Sequence, residues 1–194
     1  MSGKLLYLVG ASGSGKDSLL EGCRQQLKPL HGCIVAHRYI TRAPNIGGEN
    51  HIHLSAEEFD MRANMGMFAM QWHSHGYRYG IGSEIDNWLA SGINVLINGS
   101  REYLQIAMHG YPNLVPVLVD VDAERLHQRL MKRGRENELE IVRRLERHRQ
   151  IVDSLPPGLL RIDNNHDLQH GVDELLHLIE QTAPAHLKPT VSRH

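Results

Sequence analysis

The residues that most restrict the fold are Gly10-Ala-Ser-Gly-Ser-Gly15-Lys16. They fit G-x-x-x-x-G-K, follow a continuous apolar run (KLLYLV, Lys4–Val9) and precede a helical segment, Asp17–Leu27. An apolar run without alternation is a strand buried on both faces, as in parallel sheets covered by helices. In that setting the glycines let backbone N–H groups curl around a phosphate. The helix N-terminus adds free donors and a favourable dipole, and Lys16 reaches the β- and γ-phosphates. The spacing predicts ATP binding by Gly10, Ala11, Ser12, Gly13, Ser14, Gly15, Lys16, Asp17 and Ser18. The residue after the lysine is usually a Ser or Thr whose hydroxyl binds Mg²⁺. Here it is Asp17, followed by Ser18. A carboxylate beside a triphosphate is repulsive unless a cation lies between them. Asp17 therefore either contacts Mg²⁺, with Ser18 as the other candidate ligand, or turns away as a first-turn helix acid.

Further apolar runs alternate with helical segments. Cys33–His37, Ile93–Ile97, Leu114–Val121 and Leu159–Asp163 read as strands; Ser83–Ser91, Arg101–His109, Ala123–Arg133, Glu138–Ser154 and Leu168–Glu180 read as helices. This alternation predicts an α/β fold, a three-layer P-loop core with a parallel sheet and helices on both faces. Pro116, lacking an N–H, favours an edge or an irregular spot in its strand. Residues 38–54 have little periodicity and read as loop or irregular strand. Ser55, with Glu58 three residues later, opens a helix running to Asn64. Gly66–Trp72 and Gly76–Ile81 follow as short strands. The region 38–92 reads as an insertion carrying acceptor specificity within one domain, residues 1–183, and 184–194 as a flexible tail.

Composition narrows the function classes. The 41% of hydrophobic residues support a real core, and a net charge of −1 provides no global basic field for nucleic acid. Any anion site must be built locally. Leu5–Val9 is too short for a signal or membrane span. Cys23 and Cys33 lack metal-ligand spacing and argue for a reducing compartment, so a cytoplasmic protein without membrane or nucleic-acid partners is expected. The fourteen histidines read mostly as surface residues, and oligomeric state leaves no signal.

Positive charge concentrates in Arg129-Leu-Met-Lys-Arg133-Gly134-Arg135-Glu136, followed by Arg143 and Arg144. A solvated helix face, with arginines paired to Glu140 and Glu146, is one reading. In a chain with a phosphate loop, a lid near 123–145 is favoured, because arginine forks suit the oxygens of a transferring phosphoryl group.

Together these pieces resemble the guanylate-kinase-like branch of P-loop kinases. The resemblance rests on the GASGSGKDS loop, Tyr39-Ile-Thr-Arg42-Ala-Pro44, Gly48-Glu49, Gln71-Trp72, Tyr79-Gly80 and the RLMKRGRE segment. Within that branch, AHRYITR, ENHI, YGIGSEID, NVLINGSR and RGREN are similar to the ribose 1,5-bisphosphate phosphokinases. That family makes 5-phospho-α-D-ribose 1-diphosphate from ATP in phosphonate catabolism. The resemblance implies catalytic roles for Lys16, Arg129, Arg133 and Arg144, and adenine-side contacts at Asp163 and Asn164. It implies acceptor contacts at Arg38, Arg42, Glu49, His51, Gln71, Tyr79 and Asn98.

Guanylate kinases carry a glutamate before the tryptophan and an aspartate at the end of the strand equivalent to Ile93–Ile97. This chain has Gln71 and Asn98 there. Those acids accept hydrogen bonds from guanine. A ribose bisphosphate has no base and up to four negative charges, which carboxylates would repel. The substrates expected are ATP and ribose 1,5-bisphosphate, with Mg²⁺ as cofactor. Guanylate kinase activity and a non-catalytic binding module are the alternatives.

Overall fold

The strand preceding the glycine loop, β1 (Leu5–Val9), is buried at every position. The computed structural model, which describes residues 2–44, 48–134, 138–143, 145–146 and 159–182, places it in the middle of a sheet. Its partners are β2 (Cys33–Val35), β7 (Asn94–Asn98), β8 (Leu114–Asp120) and β9 (Leu160–Asp163). The order is β2-β7-β1-β8-β9, and every pairing is parallel. The period of two along β1 splits the core. Leu5, Tyr7 and Val9 pack with α3 (Glu84–Ala90) and α4 (Leu104–Gly110). Leu6 and Leu8 pack with α1 (Lys16–Gln26) and α6 (Leu168–Thr182). A Cβ on Gly22 would lie 2.5 Å from Val172 Cγ2, so only glycine permits this α1–α6 approach.

A second sheet, in the order β4-β3-β6-β5, covers the first side. It consists of β3 (Arg38–Ile40), β4 (Ile52–His53), β5 (Phe68–Ser74) and β6 (Tyr77–Gly82). Ile40, Met70, Trp72, Tyr79 and Ile81 join the core of Leu5, Tyr7 and Val9. Between the sheets' strands, α2 (Ala56–Asn64) starts where expected, with Ser55 Oγ accepting from the Glu58 N–H at 3.1 Å. α5 (Ala123–Arg133) ends at Gly134, φ 61°.

Two expectations take a definite form. The stretch 38–54 contributes β3 and β4, because β3 finds an antiparallel partner in β6 some forty residues on (Arg38↔Ile81, Ile40↔Tyr79). Local periodicity cannot report such a long-range pairing. Pro116 lies in a strand flanked on both sides, but β9 joins only from Val117 onward, and Pro116 faces Tyr7 of β1 alone. Of the expected lid and tail, residues 135–137, 144 and 184–194 lie outside the described residues.

Candidate functional site

Two cavities flank the glycine loop at the carboxyl ends of the parallel strands, where open α/β sheets bind ligands. Gly13 (φ 99°) and Gly15 (φ 95°) adopt the left-handed conformation that glycine tolerates. A Cβ on Gly13 would sit 3.0 Å from both Leu126 and Leu130, so the loop lies directly on α5. Ala11 and Ser14 are buried beneath it. Among the described residues no side chain caps α1, which leaves its first N–H groups for an anion.

Lys16 Nζ donates to the Gly10 and Ala11 carbonyls, both at 3.0 Å. Burial pushes its ammonium down to about 8; Asp17 opposes this shift, and the charges of Arg38 and Arg101 add to it. The charged form is the one that binds phosphate. The KM for ATP is therefore expected to rise as pH climbs through about 8, and a bound triphosphate should pull the pKa back up. Calorimetry at pH 8.5 in buffers of differing ionisation enthalpy should show net proton uptake on ATP binding, and none at pH 7.

The first cavity, about 230 Å³, is lined by the loop together with Arg38, Arg42, Glu49, Trp72, Tyr79, Asn98 and Arg101. Glu49 bridges two arginines, accepting from Arg38 Nε at 2.5 Å and Arg42 Nη2 at 2.8 Å. Burial alone would raise its carboxyl pKa, but the two guanidiniums outweigh burial and hold it below the usual value. Arg38 also lies over the Tyr79 ring, which stacks on Trp72. Asp17 does not turn away. Its Oδ1 accepts from Asn98 Nδ2 at 2.6 Å and lies 4.0 Å from Arg38 Nη2. The amide at 98 thus has a local reason: a carboxylate there would face Asp17 directly.

The second cavity, about 340 Å³, lies between the loop, α5 and the turn after β9, with Gly15, Ser18, Arg129, Asn164 and Leu168 in its wall. Arg129 donates to Ser14 O at 3.2 Å and Asn164 O at 2.8 Å, and Asn164 Nδ2 donates to Ser14 O. Arg129 and Asn164 therefore brace the phosphate loop from one side.

Three predicted residues stand apart. Gln71 is exposed on β5, whose alternation sends Met70 and Trp72 inward, so its side chain leaves on the opposite face. His51 has Nδ1 2.9 Å from Glu49 O and Nε2 2.9 Å from Arg42 O, tying together the loop ends that present those two residues rather than entering the cavity. Asp163 turns its Oδ1 to Asn165, accepting from the backbone N–H at 2.9 Å and from Nδ2 at 2.7 Å. Arg133 closes α5, and its side chain, like the whole of Arg144, lies outside the described residues. Lining residues not anticipated from the sequence include Ser74 and Arg101. For Arg101 a signal existed: it follows shortly after a buried parallel strand, where such sheets place their ligands.

The chain is 49% identical over 181 residues to the ribose 1,5-bisphosphate phosphokinase of Psychromonas ingrahamii, covering 93% of this chain and 92% of that protein. With the enzyme of the same name from Thiobacillus denitrificans it shares 50% over 174 residues, 90% of each. The chain belongs to the ribose 1,5-bisphosphate phosphokinase family. No protein-family model matches it. A solved guanylate kinase from Anaplasma phagocytophilum superposes with a TM-score of 0.69 over 95% of this chain and 88% of its own, at 15% identity, so the two share a guanylate-kinase-like fold. Membership of the phosphokinase family gives the first cavity its frame. Arginines paired to one buried glutamate face the phosphate loop there, and the strand-end position carries an amide. Among the described residues no helix is long and apolar enough to cross a membrane.

Proposed function

We propose that the chain transfers the γ-phosphate of ATP to the 1-phosphate of ribose 1,5-bisphosphate, giving 5-phospho-α-D-ribose 1-diphosphate and ADP. The observation that carries this reading is that the phosphate loop and the Arg38–Glu49–Arg42 cluster open onto one cavity, in a chain of this family. ATP lies along Gly10–Ser18, its nucleoside toward the second cavity and its γ-phosphate beside Lys16. The acceptor's phosphates are held by Arg38 and Arg42, with Tyr79 beneath. An oxygen of the 1-phosphate attacks the γ-phosphorus in line, and the bond to the β-phosphate oxygen breaks. A phosphate monoester is already ionised near neutral pH, so no general base is required. The protein's work is positioning and charge neutralisation by Lys16, Arg129 and the lid arginines Arg133 and Arg144.

The residues present suit Mg²⁺. Asp17 lines the cavity with a carboxylate 38% exposed, and Ser18 lines the same cavity. One or two oxygen ligands with substrate phosphates are the usual holding for this ion. Bound between Asp17, Ser18 and the phosphates, it would supply positive charge to the phosphoryl oxygens. Asp17→Asn is expected to raise the Mg²⁺ concentration for half-maximal rate by about tenfold, with a smaller loss at saturating metal. Asp17→Ser should recover part of the difference. Identical metal titrations of wild type and Asp17→Asn would assign Asp17 to the Asn98 and Arg38 contacts alone.

The test of function is ADP release with ribose 1,5-bisphosphate, with GMP and with neither, the product being identified by phosphorus NMR. A diphosphate at the sugar C1 is expected with the first acceptor only. Turnover of GMP at a comparable rate would overturn the assignment.

A further inference from the structure

The loop leaving β7 is tied to the core at two successive residues. The Gly99 N–H donates to Leu8 O at 2.8 Å, extending the β7–β1 pairing to the strand end from which the phosphate loop departs. Tyr7, fully buried in β1, donates through its hydroxyl to Ser100 O and accepts from Ser100 N, both at 2.9 Å. A Cβ on Gly99 would fall 2.0 Å from the Tyr7 ring, so the backbone lies flat against it. The residue presented next is Arg101, in the wall of the cavity that Lys16, Asp17 and Arg38 also line.

We propose that Arg101 is a catalytic residue, its guanidinium contacting the γ-phosphoryl group as it passes from ADP to the acceptor. The inference rests on the phosphotransferase reading above. Lys16 and Arg101 converge from two loops that leave neighbouring strands, and Arg101 is near enough to help depress the lysine ammonium. Two cations facing one half-buried space repel each other, and an anion between them removes that cost. The anion that arrives beside a phosphate-loop lysine is the γ-phosphoryl group. Lysine offers it a point charge, whereas arginine offers a planar fork matching two equatorial oxygens. Asp17 and Glu102 also face this space, so the positive charge there is partly balanced before substrate enters. Because Tyr7 and Gly99 fix the backbone just before it, Arg101 is carried by a segment held to the core, whereas Arg129 is supplied by α5.

The test compares Arg101→Ala and Arg101→Lys with wild type, using whichever acceptor the wild type phosphorylates. Failure of ribose 1,5-bisphosphate as acceptor would then count against the proposed function and leave the Arg101 ratio readable. Arg101→Ala is expected to lower kcat by about 10²–10³-fold, with both KM values within about threefold of wild type. Arg101→Lys should recover only part of the rate. Guanidinium ion, added well below unfolding concentrations, should restore activity to Arg101→Ala and not to Lys16→Ala. A kcat within about threefold of wild type, or a rise in KM alone, would overturn the proposal. So would a loss that accompanies a lowered melting temperature and does not respond to guanidinium.

Discussion

Lys16→Ala is expected to lower kcat by about three orders of magnitude while the folded state barely changes. In the free protein the lysine ammonium is spent on two loop carbonyls, those of Gly10 and Ala11. Water entering the cavity can replace it there, so the stability change should stay within about 1 kcal/mol. Burial and two neighbouring arginines already disfavour its charge, and removing it relieves that tension. In the transition state nothing else on the loop offers a side-chain cation to the β- and γ-phosphates. ADP release and thermal melting measured on one preparation decide the matter. A rate within a few-fold of wild type would remove the phosphate loop from the mechanism.

Glu49→Ala should produce the largest loss of stability. The glutamate side chain is 8% exposed and joins Arg38 and Arg42, themselves 12% and 15% exposed. Deleting it leaves two largely buried guanidiniums facing each other without an anion, a cost of about 3 kcal/mol. For a chain of this size that is a fall in Tm of roughly 6–12 °C. Inorganic phosphate should restore more stability to Glu49→Ala than to wild type, since an added anion can enter between the arginines. The pH dependence has a definite sign. The folded carboxyl titrates below its ordinary value of 4.5. Its contribution is therefore complete above that value and is lost as pH falls through the lower folded one. Acid unfolding of Glu49→Gln should lack this component. Equal acid-unfolding profiles for Glu49→Gln and wild type would show that the arginines do not depend on the charge.

The glycine loop was legible because strand, loop and helix are contiguous and each carries its own local signal. The parallel core was legible for the same reason. Arg38–Glu49 pairing was harder to see, since β3 forms by pairing with β4 and with the distant β6, and a stretch of Gly, Asn and His has no period to read. Gln71 shows a different failure. Adjacency to Trp72 located the right strand but not the right face, and in a strand the neighbour of an inward residue points outward. His51 was placed in the right loop, but two backbone carbonyls claim its ring. Asp17 could be read two ways from its position at the start of α1. Contact with Asn98 from β7 settles its direction, and that contact spans 81 residues.

The second sheet shares one core with the first: Ile40, Met70, Trp72, Tyr79 and Ile81 pack against Leu5, Tyr7, Val9, Val95 and Ile97. A segment built this way is not a cassette. Excising it would strip the cover from the central strands, and grafting in a relative's segment would require a matching set of core side chains. Changes of acceptor in such a scaffold are therefore open to point replacements on the cavity wall, such as the amide at 98, and closed to wholesale recombination at the segment's ends. A chimaera joined near residues 37 and 83 should unfold at lower temperature than either parent, whatever acceptor its loops were chosen to bind.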